Sequence, residues 1–266
     1  MTKSQAIKRA EQDYRLKLRL ERSLAKTMVR HFNGLTRDAK KHYINSGQTL
    51  FLWANWLSVF VGSLNRHYNK VANVFKKRLE LRGIELTQDE VQRLETAIKR
   101  DASNRAFYAS TAIINHLQED LGQSFTAAKN QSTASDKPFT DKKIASIAGS
   151  DFKRKTRYRA VSTIPITETQ NAAERTKRDV FTTHHTADTK SKIGIGRAIF
   201  QATKSWHTVG DSKVREEHAE ANLQVKPLNN PFDVGGEQLM QPGDTSLGAS
   251  PGNTINCRCS AQYSLI

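Results

Sequence analysis

The chain changes in kind after Ser205. Before that point, apolar residues recur mostly at helical spacing among many charged residues. After it, glycine, proline and asparagine become frequent, and only short apolar or β-branched pieces lie between them. The pattern predicts the α+β class, with a mostly helical N-terminal region followed by a small, loop-rich α+β C-terminal module.

Helical spacing predicts three helices in the N-terminal half, over residues 1–46, 50–81 and 87–128. Thr87 and Glu90 have the Thr-x-x-Glu form of a capping box at the start of the third. Further along, the sequence predicts a short helix over 141–148, an interruption at Pro165, and helices over 167–183 and 189–202.

The polar segment 129–140 is rich in serine and threonine and contains Pro138, which is typical of a linker. We therefore predict a helical basic region over 1–128, a linker over 129–140, and a C-terminal domain over 141–266. The small-sheet module of that domain is predicted to begin at about residue 205. Such a module has little apolar core and often needs a metal ion or a neighbour to stabilise it.

The chain is strongly basic, with 42 Lys and Arg against 26 Asp and Glu. Residues 1–200 hold 37 basic and 19 acidic side chains, whereas residues 201–266 hold 5 and 7. This excess favours a polyanionic partner, of which nucleic acid is the usual one. Two clusters are candidate contacts to DNA or to a protein partner: Lys153, Arg154, Lys155, Arg157 and Arg159, and also Lys76, Lys77 and Arg78. The alternative for the first cluster is a solvated helix face, and the position of the second suits the C-terminus of a helix, which needs no partner to explain it.

We expect neither a membrane segment nor a signal peptide. The longest apolar run, Leu50–Val61, has 12 residues, and a bilayer needs about 20. The first 20 residues alternate charged with apolar side chains. Cys257 and Cys259 are too close in sequence for a good mutual disulfide, which indicates a reducing compartment or a metal site.

The C-terminal tail carries aromatic and polar residues in a distinctive order. Trp206 is followed by Asp211, Val214-Arg215 and His218, and a helix is predicted over 214–221 with Asp211 or Ser212 as its cap. Arg215 and His218, three residues apart, would share one face of that helix. The series continues with Pro231-Phe232, Pro251-Gly252 and Asn256-Cys257-Arg258-Cys259, and upstream it includes Thr167-Glu168-Thr169.

This order of motifs resembles the phage head morphogenesis family, which includes the Mu F-like minor head proteins of tailed bacteriophages. Members end in a W…D-x-x-V-R-x-x-H…PF…PG…N-C-R-C pattern and carry Arg-Thr-Glu-Thr upstream. Here Ile166 stands where the family has that arginine, so a role of the arginine is not carried over to this chain. The resemblance covers about residues 155–266, and its specificity comes from the order and spacing of the motifs together.

The resemblance implies a low-copy virion protein that acts in head morphogenesis and DNA packaging. Its expected partners are the portal protein, the inner capsid face and double-stranded DNA, which it would bind without sequence preference. Its expected location is the capsid interior or the portal vertex, and the host cytoplasm during assembly. The basic N-terminal region fits this implication independently.

The polar residues of the tail also suggest a zinc site. His218, Cys257 and Cys259 are good zinc ligands, and Asp211 could be a fourth. In the alternative interpretation the cysteines pack in the core, and Asp211 bonds His218 or forms an ion pair with Arg215.

A catalytic hypothesis uses Asp211, Arg215, His218 and Glu168 as acid–base groups of a nuclease or group-transfer enzyme. No glycine-rich phosphate loop, serine nucleophile elbow or Asp-rich cluster accompanies them in the sequence. We therefore expect a protein that is not an enzyme.

Overall fold

A computed structural model describes residues 2–48, 53–193 and 202–265. The helices are α1 (Lys3–Ser46), α2 (Trp53–Glu80), α3 (Gln88–Thr133), α4 (Asp141–Tyr158), α5 (Ile164–Ile193), α6 (Glu216–Glu220) and α7 (Pro251–Thr254). The strands are β1 (Ala202–His207), β2 (Val225–Pro227), β3 (Phe232–Val234), β4 (Glu237–Leu239) and β5 (Ser260–Leu265). The predicted class, a mostly helical α+β protein with a small C-terminal module that contains strands, is confirmed.

The chain forms two compact units, and both are discontinuous in sequence. Unit 1 comprises residues 1–21, 68–101 and 166–266, and unit 2 comprises residues 22–67 and 102–165. The predicted division at 129–140 is therefore wrong, because this segment lies wholly inside unit 2. Its first residues complete α3, and its last, Thr140, is the N-cap of α4.

The three long helices of the N-terminal half are confirmed, with α2 described from Trp53 onward. The capping box is present, since Glu90 accepts a hydrogen bond from the Thr87 amide at 2.8 Å and Thr87 Oγ1 accepts from the Glu90 amide at 3.4 Å. The predicted interruption at Pro165 takes another form: a π-helical segment, Arg159–Thr163, joins α4 to α5. A π segment changes the backbone pairing beside a proline without ending the helix.

Two further predictions differ from the structure in extent. The short helix predicted over 141–148 continues as α4 to Tyr158. Of the helix predicted over 189–202, the described part ends with α5 at Ile193, Ala202 begins β1, and residues 194–201 lie outside the described residues.

The sheet of unit 1 is antiparallel, with β1 between β2 and β5. Opposite β5, Trp206 pairs with Ala261 and His207 with Ser260. A second pair, β3 and β4, turns through Gly235 and Gly236, both at positive φ, as a tight hairpin requires. The apolar core of this module consists of Phe181, Ala202, Trp206, Ala221, Leu228, Phe232, Val234, Leu239, Cys257, Cys259, Ala261 and Tyr263.

Unit 2 consists of parts of α1, α2 and α3, the whole of α4, and the π-helical segment. Its buried aromatic side chains include Phe32, Phe60, Phe125 and Phe152. Trp56 packs beside Gly34, where an added Cβ would lie 2.7 Å from Trp56 Cη2. Trp56 therefore packs against the backbone of α1 only because residue 34 has no side chain.

We expect Gly34→Ala to destabilise the protein by up to about 2 kcal/mol, because displacing the Trp56 ring costs about 1–3 kcal/mol and the better helix propensity of alanine returns up to about 1 kcal/mol. Gly122→Ala on α3 is the matched control, since nothing lies within 4 Å of its added Cβ. Alanine is the better helix former, so this variant should gain up to about 1 kcal/mol. Urea unfolding of both variants checks the opposite signs, and equal effects would contradict the packing.

No helix among the described residues is long and apolar enough to cross a membrane.

Candidate metal centre

His218, Cys257 and Cys259 converge in unit 1, and all three are buried. His218 lies on the short helix α6, while the two cysteines belong to the loop that leads from α7 into β5. Successive side chains along Cys257–Cys259 point in opposite directions. The two sulfurs therefore face His218, while the Arg258 guanidinium points to Asp211. Three residues separated by up to 41 positions thus form one group.

The ligand atoms lie at the spacing that one metal ion would need. His218 Nδ1 is 3.3 Å from Cys259 Sγ and 3.8 Å from Cys257 Sγ, and all the ligand atoms lie within 4.8 Å of one another. Ordinary Zn–S and Zn–N bond lengths in a tetrahedron separate nitrogen from sulfur by about 3.6 Å. The three side chains therefore fit a single tetrahedral ion.

The two thiols interact strongly with each other. A hydrogen bond with Cys259, assisted by His218, lowers the pKa of the Cys257 thiol. The same interaction with Cys257, together with burial, raises the pKa of the Cys259 thiol. One sulfur of the pair is therefore prepared to be a thiolate, which is the form that binds metals.

A second layer of residues orients the group. His218 Nε2 lies 3.2 Å from Asn253 Oδ1, and the Asn253 amide donates to the Val234 carbonyl and to Glu237. Trp206 and His218 pack in a T-shaped arrangement, with ring centroids 5.5 Å apart. A histidine held through its second nitrogen has a fixed ring orientation, which is usual for metal ligands.

The turn before the cysteines depends on Asn256, which adopts a positive φ of 57°. Asparagine tolerates this left-handed conformation better than most residues. The backbone N–H of Asn256 donates to Thr167 Oγ1 at 3.0 Å, so the start of α5 holds the turn in place. Next to Thr167, Glu168 accepts a 2.5 Å hydrogen bond from Tyr68, and Thr169 is fully buried.

Asp211 is not part of this group, so its prediction as a fourth ligand is wrong. Its carboxylate accepts two hydrogen bonds of 2.6 Å from Arg258, and this interaction lowers the pKa of Asp211. Among the described Cys, His, Asp and Glu residues, only His218, Cys257 and Cys259 form such a group. The predicted hydrogen bond between Asp211 and His218 is also wrong.

Arg215 differs from its prediction in two respects. It occupies the N-cap of α6 and does not share a helical face with His218. Its guanidinium donates to the Ile255 carbonyl at 2.6 Å, so the predicted ion pair between Asp211 and Arg215 is wrong. Asp211 instead organises the preceding turn, where its side chain accepts from the Lys213 amide. Asp211, Arg215 and His218, three of the four residues of the catalytic hypothesis, therefore have different partners, and the fourth, Glu168, bonds Tyr68.

A buried charged network lies beside the cysteines. Lys17 Nζ donates to the Cys259 carbonyl at 2.9 Å and lies 3.2 Å from Glu174, while Lys177 Nζ lies 2.9 Å from the same carboxylate. Gln170 donates to the Cys259 carbonyl at 2.7 Å and lies 4.0 Å from Cys257 Sγ. The side chains of Lys17, Lys177 and Glu174 are at most 1 % exposed. The network connects α1 and α5 to the backbone of the loop that carries Cys257 and Cys259.

Asp13 belongs to the same network. Burial raises its pKa, but Lys177 and Arg82 more than offset this effect and hold the pKa at about 2. Lys177 Nζ is 3.4 Å and Arg82 Nη2 is 2.6 Å from the carboxylate. Asp13 is therefore ionised in the folded protein and balances part of the buried positive charge.

Sequence analysis did not identify these network residues, although a signal exists. The buried residues Ala6, Ala10, Leu20 and Leu24 of α1 follow helical spacing, and positions 13 and 17 continue it. Gln170, Glu174 and Lys177 likewise recur at spacings of four and three on α5. The signal for such a network is a charged residue at a position that helical spacing assigns to the core.

The predicted basic clusters lie in different units and are partly neutralised. Lys76 pairs with Glu95 at 2.5 Å, and Arg78 bonds Gln12 and lies 3.6 Å from Asp13, all within unit 1. In unit 2, Asp151 pairs with Arg154 at 2.6 Å and Lys155 at 3.0 Å, and Asp120 pairs with Arg159. Lys77, Lys153 and Arg157 have no acidic partner among the described residues.

Comparison of the chain with family models, with curated proteins and with solved structures found no match.

Proposed function

We propose that this protein is a minor head protein of a tailed bacteriophage, with a role in head morphogenesis and DNA packaging near the portal. The observation that carries the proposal is the ordered series of tail motifs, from Thr167-Glu168-Thr169 through Trp206 and His218 to Asn256–Cys259. The net charge of +16 supports the associated proposal of DNA binding without sequence preference.

The arrangement of the motif residues adds support. Residues that are distant in sequence meet around one centre: Thr167 with Asn256, Trp206 with His218, and His218 with both cysteines. Motifs that contact one another in the fold are needed together, whereas motifs that match by chance have no reason to meet in the structure. The contacts among these residues therefore support the use of the whole series as a family signature.

The residues of the catalytic alternative have separate partners in the structure. Asp211 is paired with Arg258, Arg215 with a backbone carbonyl, and His218 is 2 % exposed beside the cysteines. Acid–base catalysis needs groups that converge on one substrate atom. A nuclease or group-transfer function remains the second candidate on the presence of these residue types alone.

We further propose that the metal centre holds structural zinc, with His218 Nδ1, Cys257 Sγ and Cys259 Sγ as ligands. Two sulfurs and an imidazole nitrogen are the donors that zinc prefers. Structural zinc sites usually have four protein ligands, and no fourth Cys, His, Asp or Glu ligand lies among the described residues, so the structural role rests on the burial of all three ligands. The ion would join α6 to the loop before β5 and thereby stabilise a small module with little core.

Quantitative mass spectrometry of purified particles tests the proposed function. In particles of the phage that encodes the chain, we expect the protein in low copy number in procapsids and in mature particles. Measurement after DNA ejection shows whether it leaves with the genome. Absence from both kinds of particle would overturn the proposal and favour the catalytic candidate.

A further inference from the structure

The positive charge of the protein is concentrated in unit 2. This unit holds 17 Lys and Arg against 6 Asp and Glu, whereas unit 1 holds 25 against 20. The division could not be recognised in the linear sequence, because both units are assembled from separate segments. A polyanion should therefore contact unit 2 first.

Unit 2 contains a groove that α1 and α4 line together. Its volume is about 340 Å³. Four cationic side chains line it, with polar neighbours that include Asn33 and Asn45: Arg37, Lys40, Lys41 and Lys153. None of the lining residues is acidic.

Most of these cations are not neutralised by the protein. Lys40, Lys41 and Lys153 have no carboxylate partner among the described residues, and Arg37 has only the exposed Asp38 at 3.2 Å. The neighbouring cations Arg154 and Lys155 are instead paired with Asp151. Within the cluster of residues 153–159, Lys153 therefore keeps its charge available, whereas Arg154 and Lys155 are paired.

Two of the lining residues, Thr36 and Lys40, pack closely on the backbone of α4. Gly149 is buried, and a Cβ at this position would lie 2.8 Å from Lys40 Cδ and 3.3 Å from Thr36 Cγ2. The aliphatic stem of Lys40 therefore packs directly on the backbone of α4. Such a stem has fewer conformations to lose when its ammonium group binds a ligand.

We propose that this groove binds the phosphate backbone of double-stranded DNA; the proposal rests on the DNA-binding role given above and assigns its surface. Lysine, arginine and asparagine side chains are typical donors to phosphate oxygens. Protein interfaces usually have aromatic or large apolar anchors, whereas Ile44 is the one large apolar side chain in this lining. These features favour DNA over an acidic protein and predict binding without sequence preference.

The test is fluorescence anisotropy of a labelled random-sequence duplex, titrated with the full-length protein at several salt concentrations. The groove variant combines K40Q, K41Q and K153Q. Each phosphate contact contributes about 0.9 to the slope of log affinity against log salt, so the slope should become shallower by about 2–3. Affinity near 0.1 M salt should fall on the order of tenfold or more.

Two further variants make the result specific. The charge-matched control K3Q, K8Q and K99Q removes three exposed lysines of unit 1, and it should keep nearly the full slope. The variant K40R, K41R and K153R should retain binding, because it keeps the charge. All three substitute side chains that the fold leaves exposed or half-buried, and equal thermal unfolding of each verifies the fold.

Three results would overturn the groove assignment. If the groove and control variants lose equal affinity, DNA binding stands but this surface is not its site. If the wild-type protein binds polyglutamate and not the duplex, the ligand class is wrong. If no polyanion binds, the groove has no such role, while particle association still decides the head-protein proposal separately.

Discussion

Replacement of Glu174 by alanine should destabilise the protein by about 3–5 kcal/mol. Glu174 is fully buried between the ammonium groups of Lys17 and Lys177, and its second oxygen accepts from the Ala261 amide at 2.9 Å. Without this carboxylate, Lys17 has no acidic partner in the described chain, and Lys177 has only Asp13. Two buried cations would then lack most of the charge that compensates their desolvation.

Urea unfolding at neutral pH measures this loss, with Glu220→Ala as the matched control. Glu220 lies exposed on α6 and has no ion pair among the described residues, so its removal should change stability by no more than about 0.5 kcal/mol. If Glu174→Ala does not fold, Glu174→Gln provides a milder variant, which should also be clearly destabilised. A cost near that of Glu220→Ala would contradict the network.

The same network shows where sequence analysis stops. Local features could be predicted, because the residues that decide them are neighbours: the capping box of Thr87 and Glu90 and the long helices need only nearby residues. Lys17 meets Glu174, which is 157 positions away, only after the helices have packed. A lysine in a charged helix is usually solvated, so residue type alone gave no reason to bury Lys17.

The candidate site shows the same contrast in more detail. The grouping of His218 with Cys257 and Cys259 could be predicted, because these residue types have few other reasons to occur together in a small module. The partner of Asp211 could not, since Arg215, His218 and Arg258 were all within reach of a plausible loop. In the folded chain the partner is Arg258, which lies 47 positions from Asp211.

The division into two units could not be predicted because segment 129–140 resembles a linker in composition. Segment 129–140 has the composition of a linker, yet α3 runs through its first residues and Thr140 caps α4. Ser132 Oγ accepts a hydrogen bond from the Phe139 amide at 2.6 Å, which closes the segment into a tight connection between two helices. Polar composition therefore marks a turn within unit 2 and not a boundary between units.

Removal of metal should lower the melting temperature of the wild-type protein substantially. Zinc that binds only the folded state adds about 4 kcal/mol of stability when its free concentration is a thousand times its dissociation constant. The purified protein should contain one zinc per chain by elemental analysis, and a chelator should remove both the metal and this stabilisation. Added zinc should restore it, because binding requires only the deprotonated forms of the same ligands.

The decisive measurement is the change in melting temperature that the chelator causes, compared across variants. Cys257→Ser, Cys259→Ser and His218→Gln should each lose most of this change, whatever their own stability, because each removes one of only three ligands. His207→Gln is the matched control: this buried histidine of β1 lies 2.8 Å from Ser205 Oγ and takes no part in the ligand group, so the full response should persist. A wild-type protein that contains no metal and melts identically with and without chelator would show that the two cysteines and His218 pack in the core of the module without a metal ion.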